Sequence, residues 1–215
     1  MLSKYKNNYD FGPKNNGNLF YNYNLDYYEK YIKNNNINLI TADCGMPKID
    51  DSDIIINKLE SSILLIGLRT KTNIICKILY PFSEENHNTV IMLYYMYKYY
   101  DKVYLYKPMQ TYTNDEFYLI CYKFNDNKID DIYNKILNIK YEEINELEKY
   151  IDEKYYYSIY KIYKKLIKFK YNAVNNKLYL VDNYYIINNN KNILNYIYKI
   201  NEKIRNKFIK KFEFK

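Results

Sequence analysis

Three ionisable side chains stand in this sequence where a charge needs a partner or a task. Asp43 closes the apolar run Ile37-Asn38-Leu39-Ile40-Thr41-Ala42, Lys77 interrupts Asn73-Ile74-Ile75-Cys76-Lys77-Ile78-Leu79, and Glu116 opens Glu116-Phe117-Tyr118-Leu119-Ile120-Cys121-Tyr122. A charge among apolar residues is costly to bury unless it is paired or functional. Ionisable groups in such places are candidates for proton transfer or ligand binding. Lysine is so common here, 31 of 215 residues, that Lys77 alone carries little; the three together carry more.

The elements that must position these groups are readable from periodicity and turn residues. The three runs read as buried strands, and Lys102 to Tyr106 as a further one. The spacing predicts helices over Tyr21 to Lys33, Ile54 to Leu68 and from Asn88 or Thr89 to Tyr100, with Asn88 or Thr89 as the cap. Strand, helix, strand, helix, strand and then a strand with no room for a helix is the ending of an α/β, mostly parallel sheet whose last strand is antiparallel. Asp43 then falls at the carboxyl edge of its strand, where open α/β sheets bind ligands. Residues 11–18 hold two of the four glycines and one of the four prolines, a loop signature.

Composition excludes several classes. With 48% hydrophobic and 19% aromatic residues the protein has enough apolar surface to bury a core, so wholesale disorder is not expected. Three widely spaced cysteines (Cys44, Cys76, Cys121) in apolar settings fit reduced thiols rather than a disulfide framework, and one histidine, His87, cannot supply a metal cluster. No uncharged apolar run approaches the ~18 residues of a membrane span; a soluble protein of a reducing compartment, the cytoplasm, is expected. The 32 Tyr, 32 Asn and 31 Lys reflect a codon bias toward adenine and thymine, which weakens any inference from lysine number alone. Charge is nonetheless uneven: residues 160–215 carry 14 basic and 3 acidic side chains, and a basic, tyrosine-rich stretch suits an anionic partner such as RNA. A codon-biased solvated lysine face remains open beside that reading.

Four short blocks occur in order: Asn38-Leu39-Ile40-Thr41-Ala42-Asp43-Cys44-Gly45, Ile74-Ile75-Cys76-Lys77-Ile78, Lys102-Val103-Tyr104-Leu105-Tyr106-Lys107-Pro108 and Asn114-Asp115-Glu116-Phe117-Tyr118-Leu119-Ile120-Cys121. They are preceded by the segment Gly12-Pro13-Lys14-Asn15-Asn16-Gly17-Asn18. Over residues 11–124 the sequence resembles FtsJ-like ribose 2′-O-methyltransferases, particularly the mRNA cap methyltransferases of large DNA viruses that replicate in the cytoplasm. The resemblance implies a partial Rossmann-like methyltransferase sheet, S-adenosylmethionine as cofactor and capped mRNA as substrate. It assigns Asp43, Lys77 and Glu116 to the second, third and fourth places of the family's Lys-Asp-Lys-Glu tetrad, and Lys107 to the substrate RNA. In that scheme Lys77 takes the proton of the ribose 2′-hydroxyl, Asp43 sits between base and methyl donor, and Glu116 orients Lys77 or the ribose. A lysine can act so only if its pKa falls toward neutrality, through desolvation and a neighbouring cation. No metal is required.

The sequence departs from the family upstream. Only 42 residues precede Asp43, no Gly-x-Gly loop follows an apolar strand there, and Lys4, Lys6 and Lys14 are the only lysines placed far enough upstream for the first tetrad position. Gly12 and Gly17 make a poor phosphate- or cofactor-cradling loop. Three explanations stay open: a split or frame-shifted gene, a second polypeptide supplying the cofactor-binding half, or a non-catalytic relative. The last corresponds to an RNA-binding or scaffold subunit. The edge of the Ile37 strand would then need covering.

The expected organisation is a methyltransferase-like part over 1–125 and a basic, mainly helical extension over 126–215, with helices over Tyr141 to Lys170 and Lys191 to Phe214 and a strand or loop between Lys177 and Ile187. His87 is expected in a solvated polar loop. The tyrosines of 94–100 and 155–157 are expected at the core or its rim, and Cys44 is expected to be unreactive.

Overall fold

The computed structural model describes residues 12–19, 21–43, 52–79, 87–107, 116–183, 188–196, 198, 199 and 202. Cys44, Pro108, Asn114 and Asp115 lie outside the described residues. The elements are α1 (Asn22–Asn34), β1 (Leu39–Ala42), α2 (Ser52–Thr70), β2 (Asn73–Leu79), α3 (His87–Tyr99), β3 (Tyr100–Tyr106), β4 (Glu116–Phe124), α4 (Asp131–Asn138) and α5 (Glu153–Asp182), with 3-10 segments at Asp126–Lys128 and Tyr141–Tyr150.

The protein is α/β with a four-stranded mixed sheet in the order β1-β2-β4-β3. β1 and β2 are parallel, and β4 runs antiparallel to both of its neighbours. The last strand is therefore antiparallel, as the element order predicts, and it lies between β2 and β3.

Two helices turn directly into strands by the same device. α1 ends at Asn36, with φ 50°, where the Ile37 N–H reaches back to Ile32 C=O; α2 ends at Lys71, with φ 55°, where Thr72 N–H reaches Gly67 C=O. A left-handed residue after the last turn satisfies carbonyls the helix leaves open. Gly67 also lets α2 lie against β2, since a Cβ there would run into the end of the Ile74 side chain. Tyr100 Oη then donates to Thr72 C=O at 2.5 Å and lies 3.1 Å from Gly67 C=O, fixing the junction.

Burial on the sheet is one-sided. Ile74, Cys76 and Ile78 of β2 and Leu119 and Cys121 of β4 join Ile63, Leu64, Leu65 and Leu68 of α2 and Ile91, Met92, Tyr95, Met96 and Tyr99 of α3 in one core. Each fully buried leucine there contributes about 1.5–3 kcal/mol. The contiguous run Ile63–Ile66 shows why α2 has no polar face in its middle: it is enclosed on all sides.

The protein divides into two compact units, Met1–Leu166 and Ile167–Lys215. The boundary expected after residue 125 falls inside the first unit, because Tyr133, Ile136, Tyr141, Ile144 and Leu147 are buried in the same core. Asp130 caps α4 by accepting from Ile132 and Tyr133 N–H, and it is held in turn by Lys98 at 2.6 Å and Tyr99 Oη at 2.7 Å of α3. At the other end of α4, Arg69 of α2 donates to Ile136 C=O at 3.1 Å and to Ile139 C=O, and it pairs with Glu29 of α1 at 3.2 Å.

In the second unit the remainder of α5 and residues 191–196 are helical. Lys177–Asp182 is thus helix, where a strand or loop was expected; residues 184–187 lie outside the described residues. Extending a formed helix adds one hydrogen bond per residue without a new nucleus, which outweighs the β preference of four residues, Leu178 to Val181. Of the tyrosines, Tyr95, Tyr99 and Tyr100 are core and Tyr97 and Tyr157 are exposed. His87 begins α3 rather than lying in a loop, and its side chain, 42% exposed as expected, lies 2.8 Å from Glu148.

Candidate functional site

Strand register brings the predicted charges together. Ala42 of β1 pairs with Cys76 of β2, so Asp43 follows alongside Lys77; in the antiparallel pair, Lys77 faces Tyr118 and Leu79 faces Glu116. Alternation then places Lys77, Tyr118 and Glu116 on one face of the sheet. Lys77 Nζ makes an ion pair with Asp43 Oδ1 and lies 3.7 Å from Glu116 Oε1. The lysine side chain is 14% exposed and Glu116 19%, whereas Asp43, past the strand end, is 70% exposed.

Electrostatics overturn one expectation. Burial works to lower the Lys77 pKa, but the hydrogen bond and charge of Asp43 and the charge of Glu116 outweigh it, and the amine is held above its ordinary value. Two carboxylates favour the ammonium, and no cation beside Lys77 opposes them among the described residues. Lys77 is therefore a firmly protonated ammonium. Burial and the carboxylates of Glu116 and Asp43 likewise push the Tyr118 hydroxyl upward. Lys107 Nζ donates to the backbone carbonyl of Glu116 at 2.7 Å and lies 4.6 Å from the Phe117 ring centre, so it braces the start of β4.

The sequence reading missed Glu60. This α2 carboxyl is fully buried, accepts the Leu79 N–H at 2.5 Å and meets Thr89 Oγ1 at 3.2 Å. Burial pushes its pKa up to about 8. Thr89 Oγ1 also lies 3.0 Å from Asn57 Oδ1. A hydroxyl has one hydrogen for these two acceptors, so a protonated Glu60 completes the relay by donating to Thr89, which donates to Asn57. Glu60 thereby ties the end of β2, just past Lys77, to the first turn of α3.

The residues described do not cradle S-adenosylmethionine. Gly12 and Gly17 have φ of 76° and 60°, but a Cβ at Gly12 would stand 2.5 Å from Asn24 Oδ1. That space belongs to α1, whose buried Asn24 fastens the loop by donating to Asn16 Oδ1 at 2.8 Å and Asn18 C=O at 2.7 Å. A cavity of about 260 Å³ beside β1 is lined mainly by apolar side chains, among them Leu19, Leu25, Ile32, Ile40 and Ile63. It offers no charged partner for an amino-acid head group. No protein-family model matches the sequence, and no curated protein matches it.

Proposed function

We propose that this protein carries the ribose-hydroxyl side of an RNA ribose 2′-O-methyltransferase centre of the FtsJ-like kind, acting on capped mRNA, with S-adenosylmethionine held by a second polypeptide. The observation that supports this reading is the single rim on which Lys77 stands between Asp43 and Glu116. The antiparallel last strand agrees with the Rossmann-like sheet that the resemblance implies.

An ammonium has three donors. Asp43 takes one, Glu116 acts through its charge from 3.7 Å, and a further donor suits the oxygen of a ribose hydroxyl, which is thereby oriented for attack. Lys77 becomes a base for that hydroxyl once a second cation, the role of the family's first lysine, offsets the two carboxylates. Positioning plus one proton transfer is then the contribution of these residues.

The test is transfer of a labelled methyl group to capped RNA, by the full-length protein alone and with a polypeptide bearing the upstream lysine and glycine-rich loop. Transfer is expected only in the complemented mixture, and Lys77→Ala should lower it by about 10²–10⁴-fold. Complemented mixtures without Lys77-dependent transfer, or micromolar cofactor binding by this protein alone in calorimetry, would overturn the reading. The raised Lys77 pKa favours a second reading, a non-catalytic RNA-binding or scaffold subunit; such a protein would bind RNA with no transfer to lose.

A further inference from the structure

The sheet face that bears Lys77 continues away from it as a field of tyrosines. Register sorts this face into rows across the strands: Asp43, Lys77, Tyr118, Tyr106; then Thr41, Ile75, Ile120, Tyr104; then Leu39, Asn73, Tyr122, Lys102. The opposite face carries the core, so these rows are what the sheet presents outward. Tyr104 is 55% exposed, Tyr122 54% and Tyr106 44%. Same-face residues two apart along a strand are about 7 Å from each other, so Tyr104 and Tyr106 can each meet a different planar group.

Along the outer edge of β3 this face runs into a groove of about 440 Å³ lined by Tyr97, Lys98, Lys102, Tyr104 and Lys128, with Asp101 as its one acid. Asp101 is occupied by Lys123 at 3.0 Å and Asn125 at 2.6 Å. Lys128 Nζ is fixed by Tyr100 C=O at 3.1 Å and Lys98 by Asp130. With Lys98 paired to Asp130 and Asp101 to Lys123, Lys102 and Lys128 give the groove its positive charge, and Tyr97, 69% exposed, supplies a ring at its wall.

Exposed rings joined to a cationic groove fit one ligand class better than others. Single-stranded nucleic acid offers planar bases for the rings and a phosphate for each lysine, and stacking is tolerant of sequence because every base has a π-face. Tyrosine also anchors protein interfaces, and Leu39 is exposed on this face, but the lysine-lined groove continuous with the rings favours a polyanion. We propose that single-stranded RNA lies across β4 and β3, its bases stacked on Tyr104, Tyr106 and Tyr122 and its phosphates met by Lys102 and the groove lysines, leading to the rim at Lys77. The proposal deepens the function given above and rests on it for the choice of RNA.

The experiment is fluorescence anisotropy of a labelled, unstructured RNA of about 12 nucleotides, within the site sizes of such surfaces, with the full-length protein from roughly 50 to 200 mM salt. Tyr104→Ala and Tyr122→Ala should each weaken binding by about 5–150-fold, and Tyr104→Phe should keep it, since the ring and not the hydroxyl stacks. Lys102→Ala should reduce the salt slope by about 0.7. These side chains are exposed, so thermal melts should match wild type.

Alanine variants that bind as tightly as wild type would overturn the platform while Lys77-dependent methyl transfer could still succeed. Tyrosine-dependent RNA binding without Lys77-dependent transfer would uphold the platform and defeat the methyltransferase reading. A wild-type protein that ignores RNA but self-associates in sedimentation, and dissociates on Tyr104→Ala, would overturn the platform in favour of a protein interface.

Discussion

The buried carboxyl of Glu60 accepts the backbone N–H of Leu79, two residues beyond the site lysine, so the end of β2 hangs on a group whose pKa stands at about 8 against an ordinary 4.5. Between those values the native protein binds a proton that the unfolded polypeptide has released. Stability should therefore fall as pH rises across that window, by roughly 1.4 kcal/mol per unit. Glu60→Gln keeps an acceptor for Leu79 and a donor for Thr89 and should flatten this slope. Urea unfolding of both proteins at several pH values between the two limits checks it; equal slopes would refute the protonated carboxyl.

Lys77 should respond to Asp43 in the opposite direction from its burial. Because Asp43 and Glu116 hold the amine above its ordinary value, their stabilisation is present below the usual lysine range and is lost as pH rises through the raised value. Asp43→Asn should lower the Lys77 pKa, and Glu116→Gln should lower it less, given the longer contact of 3.7 Å. The rate of Lys77 acylation followed by mass spectrometry against pH reads both shifts. An unchanged profile in the Asp43→Asn protein would mean that the pair does not form in solution.

Gly67→Ala sets two effects against each other. Alanine favours a helix interior by about 1 kcal/mol over glycine, but here its Cβ would run into Ile74 Cδ1 and stand 2.8 Å from Cγ1. Overpacking a core typically costs about 1–3 kcal/mol, and the new methyl also pushes on the seam that Tyr100 holds. A lower melting temperature is the expected outcome, and Gly67→Ala with Ile74→Val should recover part of the loss.

Arg69 is one of only two arginines, and its planar fork reaches two carbonyls of the α4 terminus and the Glu29 carboxylate together. A lysine cannot span three acceptors in that geometry. Arg69→Lys should cost about 1–3 kcal/mol in chemical denaturation, since buried partners lose their donors. It should also increase amide exchange in Asp131–Asn138 ahead of the sheet.

Much of this was legible in the sequence where a local pattern and the tertiary structure agreed. β2 runs from Asn73 to Leu79, the bounds its β-branched run predicts, and Asp43, Lys77 and Glu116 meet because each marks the same end of neighbouring strands. Glu60 was not legible: beside Lys58, Ser61 and Ser62 it reads as ordinary helix polarity, and only packing against Leu79 and Thr89 shows that it is enclosed. The first unit's extension past residue 125 left a fainter trace. Tyr141, Ile144 and Leu147 recur every third residue, the period of a 3-10 turn, so a search at α-helical spacing passes over the stripe they bury. The firm protonation of Lys77 was hidden for another reason. It depends on two carboxylates arriving together, 34 positions before it and 39 after, with no cation opposing them among the described residues.

Because the described helices of the first unit insulate one side of the sheet, that unit separates two properties that most cores entangle. Changes on the Ile74, Cys76 and Leu119 side should register as melting, and changes on the Tyr104 and Tyr122 side as affinity, with little cross-talk between them. Such a layout lets the outward surface be rewritten for a new ligand while the fold beneath it stays intact.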